Sequence, residues 1–334
     1  MATRLLYDTI LKHFPQQHMR MAFAYGSGVF KQLGHGDMSK NMVDFVFVVD
    51  DPGEWHHENI ARNGKHYSCL KHLGSGAIER IQNNFGARVY FNTLVPCEGR
   101  MIKYGVISTE ALRMDLLDWE FLYTSGRLHK PVYHVINKHG HELDVALQTN
   151  LQSALHTSLL ILPDEFSEQD LYEMITSLSY TGDPRMTFGE DKSKITNIVK
   201  PNMERFREVY EPIIKKEDHI YWRRSEGILV QSLCVSSRIH HLNLLPKVLT
   251  DVLVAQGNLD KRHRDTEEII RTLANDCQCR YLVRDSVAQI VKRSSTSQSM
   301  KGLFTAGIRK SLKYSLEKLR KMRRSQKVRT VSEV

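Results

Sequence analysis

The sequence predicts a mixed α/β protein that becomes mostly helical toward its C-terminal end. Three observations in the 334 residues support this fold class. Short apolar runs, rich in β-branched and aromatic residues, alternate with helix-like stretches up to about residue 110. Longer helical patterns punctuated by prolines follow, and a basic segment ends the chain. We therefore expect a mixed α/β (α+β) domain over residues 1–110, a mostly helical second domain over 111–290 and a basic tail over 291–334.

The first domain is expected to begin with an amphipathic helix that ends at Pro15. Four strand-like runs follow at 21–25, 42–49, 88–95 and 101–108. Helices are predicted to start at Val29, near Trp55 and over 77–83. Because proline and glycine lie between the last two strand-like runs, these runs should form a hairpin.

The second domain contains four helical patterns, at 110–122, 145–162, 168–177 and 251–290. No apolar stretch approaches the roughly 18 residues that a membrane-spanning helix needs, so any action on lipid should be peripheral. The five cysteines are an odd number and accompany no evident secretory signal. They favour reduced thiols in the cytosol or mitochondrial matrix over a disulfide scaffold.

The net charge of +9 is concentrated in the tail. Residues 292–329 contain thirteen Lys and Arg residues and a single acid, Glu317, which gives this segment a charge of +12. The rest of the chain is therefore slightly acidic. Such an asymmetry indicates a polyanionic partner for the tail, either nucleic acid or an anionic membrane.

Apolar residues recur at helical spacing within this basic tail, at Phe304, Ile308, Leu312, Leu316 and Leu319. Lysine and arginine border the apolar stripe, a pattern typical of a helix that lies in a membrane interface. We expect residues 301–324 to bind an anionic membrane surface. An amphipathic helix docked on the rest of the protein is the alternative interpretation. Nucleic acid is not the expected partner, because the basic surplus follows a continuous apolar stripe and aromatic residues are sparse there.

A glycine turn followed by a strand with one acid is the main chemical motif. Tyr25, Gly26, Ser27 and Gly28 end the first strand-like run, and Asp44 lies in the next run, sixteen residues after Gly28. Glycines let the backbone approach a phosphate, and a helix that begins after them would direct its N–H groups at the anion. Asp44 alternates with the apolar residues of its strand, where a carboxylate is costly unless it is satisfied. It could hold Mg²⁺ against the same phosphates. A capped turn beside an ion-paired aspartate is the alternative.

The Gly-Ser turn, the helix and the acid of the next strand resemble the DNA-polymerase-β-like nucleotidyltransferase superfamily. A more specific resemblance, from about residue 10 to 315, is to the family of mitochondrial translocator assembly and maintenance proteins. It is carried by the motifs at 24–29, 43–47, 50–52, 55–56, 66–68, 102–108, 127–132, 178–186, 189–192, 197–201 and 301–307. The resemblance implies CTP:phosphatidate cytidylyltransferase activity, which makes CDP-diacylglycerol for cardiolipin synthesis. It also implies Mg²⁺ and a peripheral location on the matrix side of the inner mitochondrial membrane.

Further site residues are expected on strands and loops. Lys103 is expected to bind phosphate, the alternative being a solvated lysine on its strand. Arg185 and Lys192 lie in turn-rich segments and could bind phosphate, with Asp183 orienting one of them; a solvated surface turn is the alternative. His66 and Tyr67 are also expected to contact the nucleotide. Ordinary packing of these two side chains is the alternative.

The sequence leaves the second metal ligand open. The superfamily has another acid two residues after the first, whereas this chain has Val46 there. Asp50 lies on the same face as Asp44 but ~20 Å away along an extended strand. Glu98 would be a candidate only if the hairpin folded back to Asp44. We therefore expect Asp44 to bind the metal without a named protein partner.

Two other functions fit parts of the sequence. A nucleotidyltransferase acting on RNA would use the basic tail on the phosphate backbone. A non-catalytic assembly factor for the inner-membrane protein translocase, which the family name suggests, would not need Asp44. The oligomeric state is not determined by the sequence.

Overall fold

A computed structural model describes residues 2–33, 38, 41–188 and 193–306 of the chain. The predicted site residue Lys192 lies outside the described residues. So does most of the predicted membrane helix, from residue 307 onward.

A five-stranded sheet forms the centre of the N-terminal part. Its strands are β1 (Met19–Tyr25), β2 (Val43–Val49), β3 (Tyr90–Cys97), β4 (Arg100–Ser108) and β5 (Tyr133–Asn137), in the order β3-β4-β2-β1-β5. Only β2 and β4 pair in parallel, and the other neighbours are antiparallel. The helices of this part are α1 (Ala2–Leu11), α2 (Pro52–Asn63), α3 (Ser75–Asn84), α4 (Thr109–Asp118) and α5 (Ser125–Leu128).

Alternation along β2 divides the core of this part into two layers. Val43, Phe45 and Phe47 belong to a buried cluster that includes residues of α1 and Trp55 of α2. Val46 and Val48 belong to a second cluster, which includes residues of α4. Asp44 therefore points toward the layer of α4, on the face opposite to α1.

The C-terminal part is mostly helical. Its helices are α6 (His141–Ile161), α7 (Glu168–Leu178), α8 (Pro184–Phe188), α9 (Lys194–Val199), α10 (Met203–Ile214), α11 (Val235–Asn243), α12 (Lys247–Gly257), α13 (Thr266–Asn275) and α14 (Cys279–Ala306). A small antiparallel sheet lies among them, formed by β6 (Glu165–Ser167), β7 (Ile220–Arg223) and β8 (Ile228–Gln231). One large apolar cluster contains residues of all of these helices except α8. Within the described ranges, no helix has the length and apolarity to cross a membrane.

Helix α14 joins the two parts. Near its C-terminal end, Lys301 donates hydrogen bonds to the carbonyl oxygens of Gln82 and Phe85, at 3.0 and 2.6 Å. The Gln298 side chain accepts a hydrogen bond from the backbone N–H of Ala87. The last turn of α3 and the start of β3 are thereby held against a helix that begins in the C-terminal core.

The structure confirms the mixed α/β class and the predicted hairpin, which is the antiparallel pair β3–β4. The helix predicted to start at Val29 is wrong, because residues 26–30 form a turn instead. Tertiary partners take the backbone groups that a helix would have used: Leu33 N–H donates to the carbonyl of Asn197, and the Lys31 carbonyl accepts from Asn202.

Sequence patterns did not predict strand β5, which pairs with β1 and extends the sheet beyond residue 110. They also missed the small second sheet. Its three strands have only three or four residues each, too few for an alternation pattern to be recognised. The domain boundaries at 110 and 290 stay a prediction.

Candidate active site

Three side chains form a row across the central sheet. Tyr25 of β1 pairs with Asp44 of β2, and Asp44 pairs in turn with Lys103 of β4. Residues that are partners in register point to the same face of a sheet. Lys103 Nζ lies 3.9 Å from Asp44 Oδ1, and both side chains are about four-fifths buried, with 17% and 22% exposure. The structure thus brings together three residues that the sequence predicted for the site.

The glycine turn lies directly against Asp44. Gly26 has a φ of +83°, and a Cβ at this position would lie 3.2 Å from Asp44 Oδ2. Glycine therefore serves two purposes here: it permits the left-handed backbone and leaves the space beside the carboxylate open. The Ser27 carbonyl accepts a hydrogen bond from the Asn41 side chain at 3.1 Å. The prediction that the turn and the acid meet is confirmed.

Gly28 has a packing role, because a Cβ there would lie 2.4 Å from the backbone oxygen of Met42. We expect Gly28→Ala to lower the free energy of unfolding by about 1–3 kcal/mol, the usual cost of overpacking. Urea titration would measure it. The matched control is Gly76→Ala in α3, where no atom lies within 4 Å and alanine favours the helix. An equal effect of both substitutions would contradict the packing explanation.

Arg127 of α5 covers the Tyr25 end of this row. Its guanidinium carbon lies 4.0 Å from the ring centroid of Tyr123 and 5.5 Å from that of Tyr25. Its Nε donates a hydrogen bond to the Tyr25 hydroxyl at 3.2 Å. Arg127 is thus held as a fixed cation by two aromatic rings, one of which belongs to Tyr25, the sheet partner of Asp44.

Two lysines extend the positive charge toward α9. Lys130 Nζ donates to Ser179 Oγ at 2.9 Å and lies 5.2 Å from the ring centroid of Tyr180. Lys194 Nζ lies 4.9 Å from the same ring. Burial, together with the charges of Arg127 and Lys194, holds the pKa of Lys130 well below its ordinary value. An anion bound here would relieve this repulsion.

Arg185 belongs to the same positively charged region. The carboxylate of Asp183, which is buried, accepts hydrogen bonds from Arg185 Nε at 3.0 Å and from its Nη2 at 2.5 Å. The predicted pairing of these two residues is therefore present. Their loop packs against α14 so closely that a Cβ at Gly182, where φ is +79°, would lie 2.4 Å from the Ala288 carbonyl oxygen.

Tyr123 is affected by the combined charge of the site. Burial raises its pKa, but the charges of Arg127, Arg185 and Lys103 outweigh burial and lower the pKa to about 8. A lowered pKa for a buried tyrosine such as Tyr123 requires several cations around its ring. The region is therefore suited to a multiply charged anion.

A pH titration can test this electrostatic arrangement. The ultraviolet absorbance of tyrosinate should show one tyrosine that ionises with a midpoint near pH 8, below the ordinary value of 10.0. Tyr123→Phe should remove this step, whereas replacing the exposed Tyr221 should leave it unchanged. Arg127→Met should move the midpoint upward, because it removes the largest of the charges that favour tyrosinate. A wild-type titration without a step below pH 9 would contradict the arrangement.

One buried carboxylate holds the loop that carries Tyr123. Asp115 accepts four backbone hydrogen bonds of 2.9–3.0 Å, donated by Phe121, Leu122, Thr124 and Ser125. The same loop has left-handed backbone at Trp119 and Leu122, with φ of 56° and 49°. These bonds fix the position of Tyr123 and of the start of α5.

The structure places His66 and Tyr67 on the face of the sheet opposite to Asp44, and their predicted contact with nucleotide stays a prediction. His66 Nδ1 lies 3.1 Å from the hydroxyl of Tyr104, and the Tyr67 hydroxyl contacts His56 Nδ1 at 2.8 Å. Tyr104 follows Lys103 on β4 and therefore points to the opposite face of the sheet, where it packs in the layer of α1. Both predicted residues take part in packing on that face.

Neither acid considered as a partner for Asp44 lies beside it. Asp50, at the other end of β2, forms an ion pair with Arg20 at 2.5 Å. Glu98 Oε1 lies 2.5 Å from His13 Nε2, just beyond α1 and thus on the opposite face. Among the described residues, no group of three potential metal ligands includes Asp44.

Sequence reasoning gave no role to four residues that complete the site, Tyr123, Arg127, Lys130 and Lys194. Arg127 and Lys130 lie in one of the motifs that carried the family resemblance, which was the available signal. Their position depends on the contact of their segments with Tyr25 and Tyr180, which lie far away in the chain. No local pattern encodes that contact.

Positive charge buried in this way suits phosphate groups. The glycine turn with an acid on the adjacent strand of a mixed α/β sheet resembles the arrangement of nucleotidyltransferases. A profile of the family described as "Phosphatidate cytidylyltransferase, mitochondrial" matches residues 7–321. The chain belongs to this family.

Curated relatives with that same name match nearly the whole chain. The protein from Danio rerio is 48% identical over 320 residues, which cover 95% of this chain and 94% of the relative. The Xenopus laevis protein is 47% identical, with coverage of 97% and 96%. The Caenorhabditis elegans protein is 43% identical, with coverage of 96% and 99%.

A solved structure of a nucleotidyltransferase-like protein from Exiguobacterium sibiricum 255-15 also matches. It is 10% identical and has a TM-score of 0.26, and the match covers 90% of this chain and 77% of that chain. A score this low adds nothing to the assignment.

Proposed function

We propose that this chain transfers the cytidylyl group of CTP to phosphatidate, forming CDP-diacylglycerol and pyrophosphate. One observation carries the proposal: the Asp44 carboxylate lies against the Gly26 turn and 3.9 Å from Lys103, and its sheet partner Tyr25 contacts the buried guanidinium of Arg127. Both substrates carry several negative charges, and in this region the lysines and arginines outnumber the two acids, Asp44 and Asp183. The name shared by the relatives supplies the identity of the two substrates.

The reaction needs positioning more than acid–base chemistry. An oxygen of the phosphatidate phosphate attacks the α-phosphorus of CTP and forms a new P–O bond. The bond from the α-phosphorus to the oxygen that bridges the β-phosphorus breaks, and pyrophosphate leaves with those electrons. Since a phosphate monoester is largely dianionic at neutral pH, no residue has to remove a proton from it.

The cations of the site would supply the stabilisation that this reaction requires. Lys103 lies within the sheet and Arg127 between two rings, so neither has to reorganise when charge shifts toward the leaving group. Lys130 and Lys194, on the Tyr180 side, would contribute positive charge toward the second phosphate-bearing substrate. Partial burial strengthens each of these charge interactions compared with water.

Mg²⁺ fits the residues at the glycine turn. Gly26 leaves open a space beside Asp44 Oδ2 that a Cβ would fill at 3.2 Å. Carboxylate oxygens are ligands that Mg²⁺ prefers, and the ion commonly takes its other ligands from substrate phosphates and water. Asp44 would therefore hold the ion with the nucleotide. When bound, Mg²⁺ would polarise the phosphate oxygens and neutralise their charge.

A peripheral location on the matrix side of the inner mitochondrial membrane, with CDP-diacylglycerol passing into cardiolipin synthesis, completes the proposal. The relatives' names include the word mitochondrial. The basic tail, with its stripe of apolar residues, suits an anionic lipid surface. Flotation should show binding to vesicles that contain anionic lipid and little binding to neutral vesicles. Equal flotation with both would contradict an electrostatic contribution from the tail.

Purified full-length protein, CTP labelled on its α-phosphate and vesicles containing phosphatidate would test the reaction. The label should enter the lipid fraction, one pyrophosphate should be released for each lipid labelled, and chelation of Mg²⁺ should stop both. Absence of turnover in the wild-type protein would overturn the proposal and favour a non-catalytic assembly factor. Transfer of label to added RNA, but not to lipid, would favour the RNA-directed alternative.

A further inference from the structure

Four histidines and one glutamate converge in the C-terminal part, away from the residues of the proposed active site. His156 lies on α6, His240 and His241 lie on α11, and Glu217 and His219 lie in the connection between α10 and β7. Two overlapping groups of potential metal ligands occur here, and His240 belongs to both. Within each group the ligand atoms lie within 4.8 Å of one another.

The shortest distances within this cluster suit a shared ion. Glu217 Oε1 lies 3.1 Å from His240 Nε2, and Glu217 Oε2 lies 3.7 Å from His156 Nε2. Two ligands of a tetrahedral Zn²⁺ ion are separated by about 3.3 Å, which follows from metal–ligand distances of about 2.0–2.1 Å. The ring centroids of His219 and His240 are 4.7 Å apart, so His219 borders the same space.

The polar atoms at the centre lack hydrogen-bond partners. Glu217 Oε1 and His240 Nε2 are buried, and neither forms a hydrogen bond with any described residue, although they face each other. Buried polar atoms are normally satisfied, and a pair left unsatisfied suggests a missing ligand. A cation bound between a carboxylate oxygen and an imidazole nitrogen would satisfy both atoms.

His156 and His241 contact each other behind this pair. Their Nδ1 atoms lie 3.0 Å apart, and His241 Nε2 lies 3.4 Å from Ser237 Oγ. If the Nδ1–H of His156 donates to His241, then His156 Nε2 carries a lone pair toward Glu217. This is the arrangement in which an outer partner fixes the tautomer of a metal-binding histidine.

We propose that Glu217, His219, His240 and Nε2 of His156 bind one divalent transition-metal ion of the Zn²⁺ class. Three imidazoles and one carboxylate suit Zn²⁺, whereas Mg²⁺ prefers oxygen ligands only. A cavity of about 250 Å³ opens onto His156, Glu217 and His240, and it provides a route for the ion. The ion would tie α6, α11 and the α10–β7 connection together.

Metal content and affinity test this site directly. Protein freed of its purification tag would be stripped with a chelator, reloaded with excess Zn²⁺ and dialysed before elemental analysis. We expect one Zn²⁺ per chain, visible absorption typical of tetrahedral Co²⁺ when Co²⁺ replaces it, and a higher melting temperature for the loaded protein. Absence of retained metal in the wild-type protein would overturn the proposal.

Variants assign the ion to this cluster. Glu217→Gln keeps the side-chain size but removes the charged ligand, so its Zn²⁺ affinity should fall by more than the roughly 10–100-fold that loss of an outer partner costs. His240→Ala should have the same effect, and circular dichroism would show that both variants are folded. The exposed His72 is a control whose replacement should leave the affinity unchanged.

A second described group, formed by His18, Glu54 and Glu58, serves as the competing location. If Glu54→Gln removed the metal and Glu217→Gln did not, the proposal would be overturned. The Zn²⁺ readouts do not require cytidylyltransferase activity. The outcome is therefore independent of the proposed reaction and of its Mg²⁺ ion.

Discussion

Asp44→Asn should reduce the turnover of CTP and phosphatidate by at least about a thousandfold while the protein stays folded. The carboxylate supplies the negative charge that would hold Mg²⁺ at the glycine turn, and an amide of the same shape does not. Losing the stabilisation of phosphate charge raises the activation free energy by roughly several kcal/mol, and each increase of about 1.36 kcal/mol slows the rate about tenfold. The rate of label transfer from CTP to lipid would measure the effect.

A matched control for this substitution lies on the same strand. Asp50→Asn, just beyond the other end of β2, loses a partly exposed ion pair with Arg20 and keeps an oxygen that can accept from the Thr109 hydroxyl, so its turnover should be close to that of the wild type. Circular dichroism and the melting temperature would confirm that both variants fold. Full activity of Asp44→Asn would refute the catalytic role of the carboxylate, and an equal loss in both variants would point to a structural effect.

The second large effect should be on stability. We expect Asp115→Ala to lower the free energy of unfolding by at least about 3 kcal/mol, because it leaves four backbone N–H groups of residues 121–125 without their acceptor. Asp115→Asn should also be destabilising, since the amide has one acceptor oxygen instead of two. Denaturant titration would measure both variants.

The control for Asp115 lies one helical turn further along α4. Asp118→Ala removes an acid near the C-terminus of the helix, where a negative charge is unfavourable, so the free energy of unfolding should change little. In folded Asp115→Ala protein, the tyrosine step near pH 8 should also be lost, because Tyr123 would no longer be held among the cations. A loss below about 1 kcal/mol in Asp115→Ala would show that the four hydrogen bonds are replaced by other partners or by water.

The two large effects concern different requirements of the same site. In the proposal Asp44 is required for the reaction, and Asp44→Asn is expected to stay folded. Asp115 lies outside the reacting groups and holds the loop that carries Tyr123 and leads into α5. Together the two variants separate loss of chemistry from loss of the framework.

Local sequence patterns determined much of this protein. Alternation along residues 43–49 predicted that Asp44 would point away from Phe45 and Phe47, and the structure confirms it. The glycines predicted a tight turn next to that acid, and Gly26 lies against its carboxylate. These predictions succeeded because side-chain direction in a strand and φ at a glycine depend on immediate neighbours in the chain. The motifs also predicted the family, which the profile match confirms.

Only the tertiary structure decided which distant residues meet. Arg127 contacts Tyr25, the sheet partner of Asp44, because the segment that carries it packs against the sheet, whereas His66 contacts Tyr104 on the other face. The segment after Gly28 does not form the predicted helix, because residues far along the chain form hydrogen bonds with its backbone. Each of these outcomes depends on contacts between elements distant in sequence, whose free energy outweighs local preference. Periodicity within a segment contains no information about them.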